Sequence, residues 1–177
     1  MSTRANIEFY DDWGKWDNKR RKEDWHLGAR LYHHSDGYPS FMYRKIERFL
    51  QKVKKILTRE KRPYWWDSER VSALFVSLGR GKYGVPEENP SEPDEDYKKY
   101  GGNYIPRFQP SQEIHGDIEY LYRIKLKDEG LGTKLGKKDD RDYRIEVYKP
   151  RHNKKTYEIA GFRKLSDTQL EAELKEK

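Results

Sequence analysis

The sequence of 177 residues contains no cysteine. This absence excludes disulfide bonds and thiolate zinc sites, so any metal would have to be bound by His, Asp, Glu or water. Long apolar runs are also absent. No stretch approaches the roughly 18 residues of a membrane-spanning helix, and residues 1–6 lack the apolar core of a signal peptide. We therefore expect a soluble, cytoplasmic protein without a membrane partner.

Apolar residues are scarce, at 33% of the chain, whereas charged residues make up 39%. Such a balance is typical of disordered chains. The sequence nevertheless has 14 Tyr, 6 Phe and 5 Trp, and aromatic side chains bury a large area per residue. The composition therefore predicts a modest core beneath a heavily charged surface, and the length fits a single domain.

The formal net charge of +7 is unevenly distributed. Residues 1–62 contain sixteen Lys and Arg against nine Asp and Glu, a net charge of +7. Residues 63–100 are acidic, with five Lys and Arg against eight Asp and Glu, a net charge of −3. Residues 101–177 are basic, with seventeen Lys and Arg against fourteen Asp and Glu, a net charge of +3. A basic N-terminal third favours an anionic partner, although a solvated surface would explain the same excess.

Two strands, a turn and two helices are expected in the first half of the chain. Residues 5–10 alternate in polarity and residues 27–34 follow as their expected hairpin partner. Residues 36–39 have turn chemistry, in which Gly37 permits a positive φ, and Ser40 is placed to cap the first helix. The second helix is expected to be capped by Asp67 or Ser68. The apolar stripe of the first helix is Met42, Ile46, Phe49, Val53, Ile56 and Leu57, and that of the second is Val71, Leu74, Phe75 and Leu78.

Three more strands are expected in the second half, at residues 114–126, 143–148 and 156–162. A long loop near residues 80–112 precedes them, and its acid, Pro and Ser content predicts poor order at residues 86–99. In the first of these strands, one face is expected to carry Ile118, Tyr120, Tyr122, Ile124 and Leu126.

These elements predict an α+β fold in the order ββαα-loop-βββ. We expect an antiparallel sheet of about five strands, with the two main helices packed on one face. Residues 1–165 would form a single domain, and residues 166–177 a short C-terminal helix or a tail.

Two polar blocks about 80 residues apart are the candidate chemical site: residues 31–39 and residues 115–120. Imidazole and carboxylate side chains can move protons or bind a divalent ion, and carboxylates with water suit magnesium. Alternatively, the same residues only shape a turn and a strand end. The candidate catalytic residues are His34, Asp36, His115, Asp117 and Glu119, and the candidate metal ligands are the first four of these.

The first helix also has a basic face opposite its apolar stripe. Five cations fall within an arc of roughly 80° at about 100° per residue, which could neutralise several phosphates. Nearby tryptophans could stack on bases. The same face could simply be the solvent side of an amphipathic helix. The candidate nucleic-acid-binding residues are Arg44, Arg48, Lys52, Lys55, Arg59, Trp65 and Trp66.

The polar blocks resemble motifs of an uncharacterised family of small proteins from phages, plasmids and microbial genomes. The family pattern Leu-Tyr-x-His-x-Asp-Gly-Tyr-Pro matches residues 31–39, and His-Gly-Asp-Ile-Glu-Tyr-x-Tyr matches residues 115–122. A later Tyr-x-Ile-x-Val-Tyr pattern matches residues 143–148, so the likeness covers most of residues 3–150. Members often have Trp where this chain has Ser35. The resemblance implies a viral or mobile-element setting and no mechanism.

The leading hypothesis is an accessory protein that binds nucleic acid or a host nucleic-acid-handling protein through the basic helix. One alternative is a metal-dependent hydrolase or nuclease built on the His, Asp and Glu residues of the two blocks. Another is an inhibitor of a host defence enzyme, with acidic residues 87–96 acting as a decoy. A binding protein is favoured over an enzyme, and no cofactor is expected unless the blocks bind a divalent metal.

Overall fold

The computed structural model describes residues 3–12, 16–17, 20–21, 23–34, 36–59, 66–78, 108–128 and 141–175. Within them lie eight strands and three helices. The strands are β1 (Ala5–Asp12), β2 (Trp16–Asp17), β3 (Arg20–Arg21), β4 (Trp25–His33), β5 (Phe108–Pro110), β6 (Tyr120–Asp128), β7 (Arg141–His152) and β8 (Ile159–Lys164). The helices are α1 (Pro39–Arg59), α2 (Ser68–Leu78) and α3 (Asp167–Lys175).

Six strands form one mixed sheet in the order β5-β4-β1-β6-β7-β8. The expected hairpin partnership is confirmed, because β1 pairs antiparallel with β4. The prediction of a purely antiparallel sheet is wrong, because β1 pairs in parallel with β6. Alternation identifies a strand without giving the direction of its partner, so the sequence pattern contained no signal for this pairing.

The sheet also has more strands than the five that were expected. Its edge strand β5 lies inside residues 80–112, which were predicted to be a loop, and it pairs with the end of β4. A separate two-stranded pair, β2 with β3, lies in the polar connection after β1. The poor order predicted for residues 86–99 concerns a segment outside the described residues.

The strand predicted at residues 114–126 begins only at Tyr120. Ile118 does not share the face of Tyr122. It lies instead in a small second cluster with Tyr32 and Leu121, on the other side of the sheet. The backbone N–H of His115 donates to the side chain of Asn6 (3.0 Å) rather than to a neighbouring strand. The prediction therefore placed the start of the strand too early, because the sequence pattern extends to residues that precede the paired strand β6.

Helix α1 buries the predicted stripe: Met42, Ile46, Phe49 and Val53 are buried. Ile56 is half-buried, and the side chain of Leu57 lies outside the described residues. The helix begins at Pro39, not after Ser40, and the N–H of Met42 donates to the carbonyl oxygen of Tyr38 (2.9 Å). Proline suits the first position of a helix because its missing N–H would have no partner there.

The other two helices have side-chain caps. Asp67 caps α2, as predicted, by accepting a hydrogen bond from the N–H of Arg70 (2.8 Å). At α3, Ser166 Oγ accepts from the N–H of Gln169 (3.3 Å), and Gln169 Oε1 accepts from the N–H of Ser166 (3.1 Å). Glu173 of α3 then accepts from Tyr120 Oη (2.6 Å), so the C-terminal helix is joined to the sheet.

The main core lies between the helices and one face of the sheet. The buried residues of this core include Ala5, Ile7, Phe9, Leu31, Met42, Ile46, Phe49, Leu50, Val53, Trp66, Val71, Phe75, Phe108, Tyr122, Ile124 and Leu126.

Among the described helices, none combines the length and the apolar character needed to cross a bilayer.

We predict that Phe49→Ala lowers the free energy of unfolding by about 3–5 kcal/mol, because Phe49 is buried and its ring meets Phe75 edge-on at 4.9 Å. Urea denaturation would measure the change. The control Arg48→Ala, on the exposed side of the same helix, should change stability by less than about 0.5 kcal/mol. A loss below about 1 kcal/mol in Phe49→Ala would contradict the packing described here.

Candidate functional site

The two polar blocks meet beside the start of β1, because β1 lies between β4 and β6 in the sheet. The N–H of Gly37 donates to the carbonyl oxygen of Thr3 (2.8 Å). The N–H of Glu119 donates to the carbonyl oxygen of Arg4 (2.9 Å). Two consecutive residues of the chain therefore hold one block each, and segments about 80 residues apart in sequence become neighbours.

The ring of Tyr32 is the centre of this polar cluster. Its hydroxyl lies 3.3 Å from His34 Nδ1 and 3.5 Å from Asp117 Oδ2. The ring of His115 stacks on the Tyr32 ring at 3.9 Å. The guanidinium of Arg4 pairs with Asp117 at 2.9 Å. The structure thus brings together three of the predicted site residues, His34, His115 and Asp117.

Sequence reasoning missed Arg4 and Tyr32 as members of this cluster. Tyr32 stands two residues before His34, which puts both side chains on one side of an extended chain, and this was a usable signal. Arg4 gave no signal of its own. Burial, with the Asp117 carboxylate adding to it and Arg4 opposing it, raises the pKa of Tyr32. The phenol therefore acts as a hydrogen-bond donor rather than a base.

The other two predicted catalytic residues do not join the contacts around Tyr32. Asp36 is exposed, with a φ of 57°, and shapes the turn before α1. Glu119 is exposed, and its backbone N–H donates to the carbonyl oxygen of Arg4, just before β1. Within the described ranges, no three or more His, Asp and Glu side chains are grouped as a metal ion would require. Metal binding by His34, Asp36, His115 and Asp117 stays a prediction.

Gly37 is needed because two chain segments approach closely. A Cβ added there would lie 2.8 Å from Ala5 Cβ and 3.0 Å from the carbonyl oxygen of Thr3. Its carbonyl oxygen accepts a buried hydrogen bond from Tyr122 Oη (2.7 Å). The positive φ of this turn is found at Asp36, not at Gly37, so the expected role of the glycine is corrected.

We predict that Gly37→Val strongly destabilises the protein, because its side chain would collide with the backbone of the β1 start. Asp36→Asn should be nearly silent, because Asn tolerates a positive φ as well as Asp does. Gly116→Val is the matched control, since a Cβ added at Gly116 meets nothing within 4 Å. Thermal melts of the three variants would test this, and equal melting temperatures would contradict it.

The outward face of α1 is strongly basic. The whole helix contains seven Lys and Arg against a single acid, Glu47, so it carries +6 in a chain whose net charge is +7, although one of these cations, Lys45, is buried and is not on the outward face. Arg44, Arg48 and Lys55 are exposed and Lys52 is half-buried. Arg48, Lys52 and Lys55 line a groove together with Gln51 and Ile56, and Arg44 donates to the carbonyl oxygen of Leu174 in α3 (3.0 Å).

The remaining members of the predicted nucleic-acid site are not on this surface or are not described. Trp66 is buried, and its indole N–H donates to the carbonyl oxygen of Asp142 (3.2 Å). Its expected role in base stacking is therefore wrong, because the indole belongs to the core. Trp65 lies outside the described residues, as does the side chain of Arg59, which ends α1.

The sheet face away from the helices contains a buried carboxylate that sequence reasoning missed. Glu8 is fully buried in β1 and pairs with Arg30 (2.7 Å) and Arg123 (2.9 Å). Tyr10 Oη also donates to Glu8 (2.7 Å). Burial, and then the Glu8 carboxylate, raises the pKa of Tyr10 to about 12, so the phenol stays a donor.

A second buried carboxylate, Glu146, lies on the same face. It pairs with Lys164 (2.7 Å), Lys125 (3.0 Å) and Arg144 (3.3 Å), and it accepts a hydrogen bond from Tyr148 Oη (2.8 Å). Burial acts to raise the pKa of Glu146, but the hydrogen bonds from Lys164, Lys125 and Tyr148 lower it to about 2. Five cationic side chains therefore surround the two buried carboxylates, and the exposed Glu23 adds a third negative charge 3.6 Å from Arg144.

We predict that Glu146 makes stability pH-dependent. Its folded pKa of about 2 lies below the ordinary value of 4.5, so its contribution is present above pH 4.5 and is lost as the pH falls towards 2. Glu146→Gln should lower stability at neutral pH and flatten the profile of unfolding free energy over that interval. Glu171→Gln, an exposed change on α3, is the control. Parallel pH profiles for wild type and Glu146→Gln would contradict the assignment.

Comparison of the chain with protein-family models, with curated proteins and with solved structures finds no match. The resemblance to small phage and plasmid proteins therefore rests on the sequence motifs alone.

Proposed function

We propose that this protein binds nucleic acid through the outward face of α1, as an accessory protein that acts by binding rather than by catalysis. The observation that carries the proposal is the charge of this helix, which is +6 in a chain of net charge +7. A surface of one sign attracts a polyanion over a distance of about one Debye length, which is about 8 Å at physiological ionic strength.

The distribution of charge along α1 distinguishes it from an ordinary solvent-facing helix. Such helices usually intersperse acids and bases, which pair at spacings of three and four residues. Here Glu47 is the single acid in the 21 residues of α1, so most of the cations cannot be neutralised within the helix. Repulsion among like charges at these spacings opposes helix formation, and a bound polyanion would relieve it.

The dimensions of the helix match a phosphate backbone. Arg44 and Lys55 are eleven residues apart, which corresponds to about 16 Å at 1.5 Å per residue. A duplex carries one charge per about 1.7 Å of its axis, so several phosphates lie within this length. Contacts by Arg48, Lys52 and Lys55 alone would give a slope of about −2.7 for log K against log salt, at about 0.9 per phosphate.

We expect the triple variant Arg48→Glu, Lys52→Glu, Lys55→Glu to lose salt-dependent binding to labelled DNA and RNA while remaining folded. The apolar stripe of α1 is on the other side of the helix and is untouched. Fluorescence anisotropy between about 50 and 200 mM salt would measure the affinity and its slope.

The matched control is Lys154→Glu, Lys155→Glu, Arg163→Glu, which changes the net charge equally at exposed positions of β8 and the turn before it. This variant should keep most of the affinity and the salt slope. Wild-type protein that binds neither DNA nor RNA at about 50 mM salt would refute the proposal. Equal losses in both variants would show a dependence on net charge without a site on α1.

A further inference from the structure

We propose that the sheet face opposite the helices is a second nucleic-acid site and that it takes single strands. This inference extends the proposed nucleic-acid function to a surface that is separate from α1. It concerns the cationic sheet face, defined as Arg30, Arg123, Lys125, Arg144 and Lys164 with the rings of Tyr10, Trp25 and Tyr148.

The charges of this face are arranged in two layers. The carboxylates of Glu8 and Glu146 are buried, with side chains 1% and 5% exposed. Of the cations that they hold, Arg144 and Lys164 are 52% and 51% exposed and Arg123 is 30% exposed, whereas Arg30 and Lys125 are largely buried. The exposed carboxylate of Glu23 lies 3.6 Å from Arg144 and adds a third negative charge, but the five cations still outnumber the three carboxylates, so the face is net positive. Its side chains are already oriented by hydrogen bonds, which lowers the entropy cost of binding an anion.

Aromatic rings lie between these cations. The Arg123 guanidinium is 4.8 Å from the ring centre of Tyr148 and 5.9 Å from that of Tyr10. The Lys125 ammonium is 5.3 Å from the ring of Trp25. All three rings are half-buried, so they combine a fixed position with some accessible surface. Cations for phosphates and flat groups for bases are the two components of a single-strand site.

The shape of the face favours a single strand over a duplex. The face is formed by adjacent strands of one sheet, and the buried hydrophobic residues of α1 and α2 belong to the core on the opposite side. A duplex hides its bases in the stack and would offer this surface only phosphates. In a single strand the bases are free to stack on aromatic rings or on an Arg guanidinium.

The helices and the cationic sheet face lie on opposite sides of the sheet, so the two surfaces point away from each other. One short nucleic-acid segment cannot cover both. The protein would thus hold two segments at once, with phosphates along α1 and an unpaired strand on the sheet.

The test compares a fluorescein-labelled oligouridylate of about 20 nucleotides with a labelled duplex of about 20 base pairs, each titrated with full-length protein. We expect Arg144→Gln, Lys164→Gln to weaken oligouridylate binding at least about tenfold. The slope of log K against log salt should become shallower by about 1.4, because two phosphate contacts are lost at about 0.7 each. Duplex binding should change little. The control Lys154→Gln, Lys155→Gln removes the same charge from an exposed turn and should leave both affinities near wild type.

A second variant keeps the test informative if loss of the Glu146 partners weakens the fold. Trp25→Leu leaves all five cations in place, and the indole N–H that it removes donates to exposed Glu23 (3.0 Å). The affinity for oligouridylate should fall several-fold in this variant, whereas the affinity for the duplex should not change. Thermal melts would establish that each variant is folded.

The possible results separate the two proposals. Oligouridylate affinity that is unchanged in both sheet variants would overturn the second site while leaving α1 intact. If the sheet variants bind oligouridylate more weakly and the α1 triple variant binds nucleic acid as wild type does, the result would support the site on the sheet and refute the site on α1. A wild-type protein that binds the duplex but not oligouridylate would overturn the inference alone, and one that binds neither would overturn both.

Discussion

The buried carboxylate of Glu8 is the constraint on which much of this structure depends. A carboxylate taken out of water is costly unless it is paired and hydrogen-bonded. Glu8 meets this requirement through Arg30 of β4 and Arg123 of β6, which stand directly opposite it in the two strand pairings. A slip of one residue in either pairing would turn an arginine to the other face. The ion cluster therefore specifies the register of the three central strands together.

Asn6, two residues earlier on the same face of β1, has a related role. Its amide nitrogen donates to the carbonyl oxygen of Leu31 (3.1 Å), and its amide oxygen accepts from the N–H of His115 (3.0 Å). One buried side chain is thus bonded to both segments that contain the polar blocks. The face of β1 that carries Asn6 and Glu8 is polar, and these two side chains bond to the neighbouring strands and segments. Their bonds position both the polar cluster around Tyr32 and the cationic sheet face.

The features that could be predicted from the sequence are those with a local cause. The stripe of α1, the Asp67 cap and the β1–β4 hairpin depend on residues close in sequence, and each was found. The parallel β1–β6 pairing depends on residues more than 100 positions apart, such as Glu8 and Arg123, and no local pattern specifies it. Burial of Glu8 had no signal in the sequence, because alternation places it on the polar face of β1, and only the structure shows that Arg30 and Arg123 cover it there.

The candidate surfaces were predictable to different degrees. The basic face of α1 follows from helical spacing alone, so its residues could be named in advance. The meeting of His34, His115 and Asp117 was a hypothesis that required the sheet order, and Arg4 could not be found without it. The cationic sheet face combines five charges from four strands, β4, β6, β7 and β8, and each of these residues looks like an ordinary solvent-facing residue in its own segment. Trp66 was misplaced because a tryptophan near a basic helix suits a core as well as a surface.

The sequence distance between Glu8 and Arg123 also has a consequence for synthesis of the protein. The two residues are 115 positions apart. While the N-terminal half leaves the ribosome, β1, β4 and the helices can meet, but Glu8 then has only Arg30 as a cationic partner. The central strand is completed only after β6 has emerged, and contacts of such long range form late and slowly. A nascent chain that stalls before residue 120 would therefore expose one edge of β1 and a half-neutralised carboxylate, which is a state open to chaperones and proteases.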